Sequence, residues 1–447
     1  MTLAVRARRP TRLPAARPPR RPSRPATALA TFAVLAVVLA AALAGAALTA
    51  RSGHRTAIRP VLPPPRRRLV LPPAMRSRLV AVDRLHGGHF ALAATGATVQ
   101  LRGFDYQPLE RAPGHPHGYV NVTFSPSTYR HAEVQAMTEQ WEVDGYDATR
   151  VLLSPTAIGA RRGRGLDPAY LADLADFVST AALHGVRTVI AVGSLPTTGS
   201  FRPRRWRSFG LYNAEYLQPG FIAAEQRYLR DLVTGLRGEG APLVDVLWEL
   251  KSEQSWNLAA APLDWHRGTV RTADGRRYDL ARPGAAAAME RSNLVHWANR
   301  LAGTLHRLVP GSLVGVGVYS PSVRHPHWAV TPGPLFSAAT HIDFVDIHVY
   351  PNLGSETAQM AGFDAAATRK PVVMGEFGAT RASPVGTASA ALVTWQEQSC
   401  HLGGLTLSGW LLWTWSASVD HQFWDAQADG GRIAQALAPA SRPNPCG

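Results

Sequence analysis

The chain has 447 residues, room for one large domain or up to three ordinary ones, and a formal net charge of +16. The charge is uneven: residues 1–80 hold sixteen arginines and no acid, which leaves 31 Lys and Arg against 31 Asp and Glu in the rest. A neutral body lacks the basic domain that marks nucleic-acid binding, so the high isoelectric point belongs to the tail alone.

Residues 1–25 are a basic stretch read as a cytoplasmic N-terminus. Residues 26–50, ATALATFAVLAVVLAAALAGAALTA, carry no charge. At ~1.5 Å per residue such a run crosses a hydrocarbon core of about 30 Å. The eight arginines before it favour a cytoplasmic start. It reads as an uncleaved transmembrane anchor or as a signal peptide ending at ALTA. Either way the remainder is extracytoplasmic, membrane-tethered or secreted. Residues 51–80, with the run PVLPPPRRRLVLPP, read as a Pro/Arg-rich linker, since proline favours extended geometry over helix or sheet.

Residues 81–447 form the body. A hairpin is expected over residues 89–106, turning at Thr95-Gly96 and ending in a strand at Asp105 and Tyr106. A helix near 129–144 leads to the strand DATRVLLSP (147–155). The next helix, 167–185, has Asp167 at its N-cap and Pro168 in its first turn. It stops at Gly185 before the strand VRTVIAVG (186–193). Helix then alternates with strand: 219–237 with 243–250, 288–308 with 312–319, a short piece with 342–350, 355–366 with 371–377, and 385–402 with 407–415. A last helix lies near 430–438.

Eight strands that are continuous apolar runs, each covered on both faces and followed by a helix, predict an α/β fold: a (β/α)8 TIM barrel with enlarged loops. The alternative, an open doubly wound sheet, calls for a Gly-rich phosphate loop after the first strand; LRGFDYQPLERAPG has no GxGxxG. No Walker loop and no GxSxG elbow is present either. The two cysteines, Cys400 and Cys446, suit one disulfide in an exported protein, or two free thiols.

In such a barrel the functional groups sit at the C-terminal strand ends. Those ends hold Asp105 and Tyr106, Arg150, Gly193 and Ser194, Glu249 to Glu253, Tyr319, His348 and Tyr350, Glu376, Trp413 and Trp415. Carboxylates on strands four and seven face one another across the mouth, the pair that glycoside hydrolysis needs. One protonates the leaving oxygen and the other attacks the anomeric carbon or activates water. Glu249 reads as a structural carboxylate inside the barrel, paired with an arginine or the backbone. The pairs His115/His117 and His325/His327 have chelate-like spacing but no third ligand, so no metal and no organic cofactor is expected. The loop ARRGRG (160–165) reads as a solvated surface.

Six segments resemble clan A glycoside hydrolases, and most of all the cellulase-type family 5. WELKSE (248–253) is similar to the family's W-E-L-x-N-E, and KPVVMGEFG (370–378) to K-P-x-x-x-x-E-F/Y-G. DIHVYP (346–351) carries the H-x-Y of strand six, and GWLLWTWS (409–416) the aromatic of strand eight. TRVLLSP (149–155) carries the second-strand arginine, and LRGFDY (101–106) resembles strand one. The resemblance implies a retaining double displacement on β-linked glycans of the β-glucan or β-mannan type, with Glu253 as acid/base and Glu376 as nucleophile. It implies that Arg150 and Tyr350 hold Glu376 ionised, that His348 lines the site, and that Trp413 stacks on the reacting sugar. Tyr106, Ser252 and Trp256 complete the expected substrate-binding set, and Trp206, Trp265 and Trp328 are further stacking candidates. The expected partners are an oligo- or polysaccharide and, through residues 26–50, a membrane, with the chain a monomer. Two departures stand out. Ser252 replaces the asparagine that in the family binds the sugar's 2-hydroxyl, and AVGSLPTTG (191–199) lacks the family's histidine after strand three. Within the same frame a transglycosidase or an inactive surface glycan-binding protein are the alternatives.

Overall fold

A computed structural model describes residues 69–112, 118–203, 209–323, 325–351, 354–365, 367–415 and 422–442. Eight parallel strands close into one barrel in chain order: β1 Leu101–Tyr106, β2 Ala148–Leu152, β3 Arg187–Ala191, β4 Val246–Glu249, β5 Leu313–Tyr319, β6 Phe344–His348, β7 Val372–Phe377 and β8 Gly409–Leu412. β8 pairs with β1, Gly409 opposite Leu101, and the ring is complete. The expected (β/α)8 barrel is therefore present, and all eight strands lie where the apolar runs place them.

The large outer helices are α1 His131–Asp144, α2 Pro168–Leu183, α3 Pro219–Gly238, α4 Ala285–Leu308 and α5 Val385–Gln398. Local chemistry sets their ends. The Asp167 carboxylate accepts from the N–H groups of Ala169 and Tyr170 at 2.9 and 3.3 Å, and Gly185 follows the helix at φ +77°. Side chains pointing out of the strands pack on these helices; those pointing in meet along the barrel axis.

The bottom of the barrel is closed by a three-stranded antiparallel sheet, Leu79–Val82, His89–Leu92 and Thr98–Val99, which includes the expected hairpin. Its Leu79 and Phe90 form a separate apolar cluster with Leu101, Leu247, Leu313 and Phe344 from near the strand starts. The folded body thus begins earlier than the sequence suggests. Pro73–Arg76 is a short 3-10 helix, Met75 is fully buried, and Arg187 donates to the Ala74 carbonyl at 2.7 Å. Prolines at 72 and 73 start this turn; they do not extend a stalk. The proposed membrane segment, the rest of the linker and the His115/His117 pair lie outside the described residues. Among those described, no helix is long and apolar enough to cross a membrane.

Cys400 is buried and disulfide-bonded, and Cys446, the only other cysteine in the chain, lies outside the described residues.

Candidate active site

Alternation along the strands selects what reaches the barrel interior. On β1 Asp105 points in. Tyr106 points out and stacks on Phe177 with ring centroids 5.0 Å apart, beside Phe124. Tyr106 is therefore a packing residue between barrel and helices, not a sugar contact. On β4 Glu249 points in while Trp248 packs outward with no exposure. On β6 Asp346 and His348 point in, and Ile347 goes out.

β7 breaks the alternation. Asp346 sits opposite Val373, but His348 sits opposite Glu376, so two residues of β6 face three of β7. This bulge turns Glu376 inward together with Val373, where a regular strand would send it out with Met374. Two glycines make the room. A Cβ on Gly375 would lie 1.9 Å from the Asp346 carboxylate, and one on Gly317 of β5 would lie 1.9 Å from the Ser252 carbonyl. Past β4 the chain stays against β5: Gly317 N–H donates to Lys251 O at 2.7 Å, and Gln254 N–H to Gly317 O at 2.9 Å. These bonds hold Ser252 and Glu253 at the barrel mouth.

Arg150 lies at the centre of the assembled groups and has no exposure. Its Nε and Nη2 bind both oxygens of Glu249 at 2.5 and 3.0 Å. Nη1 donates to Asp105 and to Glu376 Oε1, each at 2.8 Å, and Nη2 also donates to Ser252 Oγ at 2.8 Å. The second oxygen of Glu376 accepts from Tyr350 Oη at 2.8 Å. His348 Nδ1 stands 3.1 Å from Glu253 Oε1 and 3.3 Å from Glu376 Oε2, and so bridges the two carboxylates from below. Oxygens of Glu253 and Glu376 lie within 4.8 Å of each other.

With Asp346 Oδ2 also 3.2 Å from Arg150 Nε, four carboxylates surround one arginine and require compensation. Burial pushes the Asp105 carboxyl well above the usual range, against the pull of Arg150. Burial also pushes Glu249 up to about 8, although the two-point bond to Arg150 opposes this and favours the ionised form. Burial works against a charged His348, but Glu376, Asp346 and Glu253 outweigh it and hold its pKa well above the usual histidine range. Burial and the neighbouring Glu376 charge raise the Tyr350 phenol far up, so it remains a donor.

Above these groups opens a cleft of about 470 Å3, lined by Ser252, Glu253, Tyr350, Glu376 and Trp413. Tyr319, Tyr350 and Phe423 cluster with Trp413 into an aromatic wall. Arg150 and His348 do not line this cleft: both are fully buried, and they act on the carboxylates instead of touching a substrate. Trp256 is also turned away. It pairs with Ala329 in a short ribbon and packs on Tyr216 at 4.5 Å, while Trp328 of the opposite strand faces the cleft. Trp265 is partly exposed and does not line the cleft, and Trp206 lies outside the described residues. Sequence reasoning missed Lys251, Glu215 and Tyr212. Lys251 bonds to Glu215 and, at 3.2 Å, to Ser194, and all four residues line the cleft. Their signal was weak, since Glu215 lies on a seven-residue helix, Leu211–Leu217, inside the long loop after β3.

No family model matches the chain, and no curated protein matches it. Solved structures do. An exo-β-1,4-mannosidase from Opitutaceae bacterium strain TAV5 superposes with a TM-score of 0.50 at 17% identity, over 78% of this chain and 57% of that one. The endo-1,4-β-mannanase from Rhizomucor miehei gives 0.53 at 13% identity, over 81% and 99%. GH5_18 from Streptomyces cattleya, in complex with Manβ1-4GlcNAc, gives 0.51 at 16%, over 77% and 80%. This chain has their fold. The closed eight-stranded barrel matches the clan A resemblance carried by the motifs, and the chain spans little more than half of the Opitutaceae enzyme.

Proposed function

We propose that this chain is a glycoside hydrolase that cleaves β-linked glycans with retention, with β-mannan as the first substrate to try. The observation that carries the reading is the carboxylate pair. Glu253 and Glu376 come from opposite strand ends, reach one cleft, and bring oxygens within 4.8 Å. Retaining pairs stand about 5–5.5 Å apart, whereas inverting pairs leave ~6.5–9.5 Å for a water. Glu376 is the nucleophile: bonds from Arg150 and Tyr350 stabilise its charge and aim it. Glu253 is the acid/base, since its side chain is one-fifth exposed and can exchange protons with the cleft. His348, in contact with both, is the route by which ionisation of one carboxylate is felt by the other. Trp413 and the aromatic wall offer flat faces to the sugar. The names of the superposed structures favour mannan over other β-glycans. An extracytoplasmic location is part of the proposal, supported by the uncharged run 26–50 and the disulfide at Cys400.

The test is Glu253→Ala assayed on aryl β-mannosides and β-glucosides. Activity is expected to fall far more for poor leaving groups than for good ones, which need no proton. Added azide is expected to restore turnover and give the β-glycosyl azide. An α-azide, or equal loss for all leaving groups, contradicts the assignment.

A further inference from the structure

Beside the cleft, the loops after β2 and β3 and α3 as far as Arg230 enclose a shallow groove of about 780 Å3. Arg164, Arg202, Arg227 and Arg230 line it, with Ser200 and Gly220, and among the described residues no lining residue is acidic. Arg202 also lines the catalytic cleft, so the two spaces share a wall. The body beyond residue 80 balances its charges, which makes four arginines without an acid a local departure.

The groove is built, not incidental. Arg227 donates to the carbonyls of Ser200 and Phe201 at 2.8 and 3.1 Å, and its guanidinium sits over the Phe201 ring at 5.2 Å. Arg202 Nε is buried without a hydrogen-bond partner. Burial lowers the Arg202 pKa, and the nearby Glu215 opposes that fall, but Glu215 is itself engaged by Lys251. Asp231 is influenced by Arg227 and Arg230, and does not line the groove. The first turn of α3, which borders the groove at Gly220, contains no acidic residue to offset the arginines.

We propose that this groove is an extended subsite for anionic sugars: the preferred glycan carries carboxylate or phosphate groups on residues beyond the cleaved bond. Neutral hydroxyls have no need of four guanidinium groups, whereas guanidinium N–H pairs match anionic oxygens; Arg227, tied to the Ser200 and Phe201 carbonyls, shapes the wall and adds its charge. The proposal rests on the glycan-hydrolase reading and narrows its substrate.

The test is calorimetric binding to the full chain carrying Glu376→Gln, which leaves the ligand uncleaved. Three hexasaccharides are compared: β-1,4-mannohexaose, the β-1,4-mannuronate hexamer and a 6-phosphorylated mannohexaose. At least one acidic ligand is expected to bind roughly tenfold or more tightly than the neutral one, with an advantage that shrinks as salt is added. Which acid wins assigns the group. The double variant Arg164→Gln/Arg230→Gln, at two exposed positions, and separately Arg202→Gln, are each expected to cut the advantage severalfold. Equal affinity for neutral and acidic ligands overturns the inference alone. So does an advantage that survives in these variants, since it then belongs to the arginine-rich tail. No binding of any hexasaccharide overturns the glycan reading and this inference with it.

Discussion

Arg150 uses all five of its N–H donors without contact with solvent: two on Glu249, one each on Asp105, Glu376 and Ser252. It holds Glu376 from below without lining the cleft, the contact that the resemblance implied for it. Ser252 has two sides. In the sequence it is a missing sugar contact, and in the structure its hydroxyl is tied to Arg150 while it still lines the cleft. Tyr350 is the most direct residue to test. Removing one hydrogen bond to an ionised group costs about 1.5–3 kcal/mol. Tyr350→Phe is therefore expected to lower kcat by roughly ten- to a hundredfold with the fold intact; unchanged kcat would remove Tyr350 from the account. Glu249 allows a pH test. Its carboxyl is pushed up to about 8 in the folded protein by burial, from an ordinary value of 4.5. A raised carboxyl pKa means that the folded state holds the proton longer, so stability is lost as pH rises from about 4.5 through about 8. Glu249→Gln lacks this loss. Denaturant unfolding at both ends of that range should show Glu249→Gln gaining on the parent as pH rises. A constant difference would contradict it.

At the scale of elements, the eight strands were legible because each is a run of apolar residues covered on both faces, as in β5 and β7 where every residue is buried. Helices were legible where a cap announced them, as at Asp167. The β7 bulge was not. It adds one residue against β6, and its only trace in the sequence is Gly375, whose missing side chain admits the Asp346 carboxylate. The motif resemblance put Glu376 at the barrel mouth, where the bulge turns it inward; simple alternation from Val373 would have turned it outward. The floor of the barrel was misread in part, because prolines and arginines around residues 72–78 gave the first strand to the linker. That floor is structural. Phe90 is fully buried and meets Phe344 edge-on at 5.8 Å. Phe90→Ala is expected to cost about 3–5 kcal/mol in denaturant unfolding, the usual cost of such a cavity. A loss under ~1 kcal/mol would show that the sheet is dispensable to the barrel.

Across the whole molecule, the charge balance of the body turned the reading toward the barrel mouth. The carboxylate pair, Tyr350 and Trp413 were readable because strand ends map onto one face. In the supporting cluster, Asp105, Glu249 and His348 were readable as residues and Asp346 was not, and the network itself was hidden, since its contacts join strands far apart in the chain. Tyr106 and Trp256 failed because a single position along a strand decides between cleft and core. The central claim is that Glu376 attacks sugar while Glu253 assists. It is tested most directly by incubating the protein with 2-deoxy-2-fluoro-β-mannosyl and β-glucosyl fluorides and sequencing the labelled peptide by mass spectrometry. The expected result is one fluoroglycosyl group on Glu376, with inactivation in step with labelling. A label on any other residue, or continued turnover of the fluorides with no labelled protein, would contradict the account.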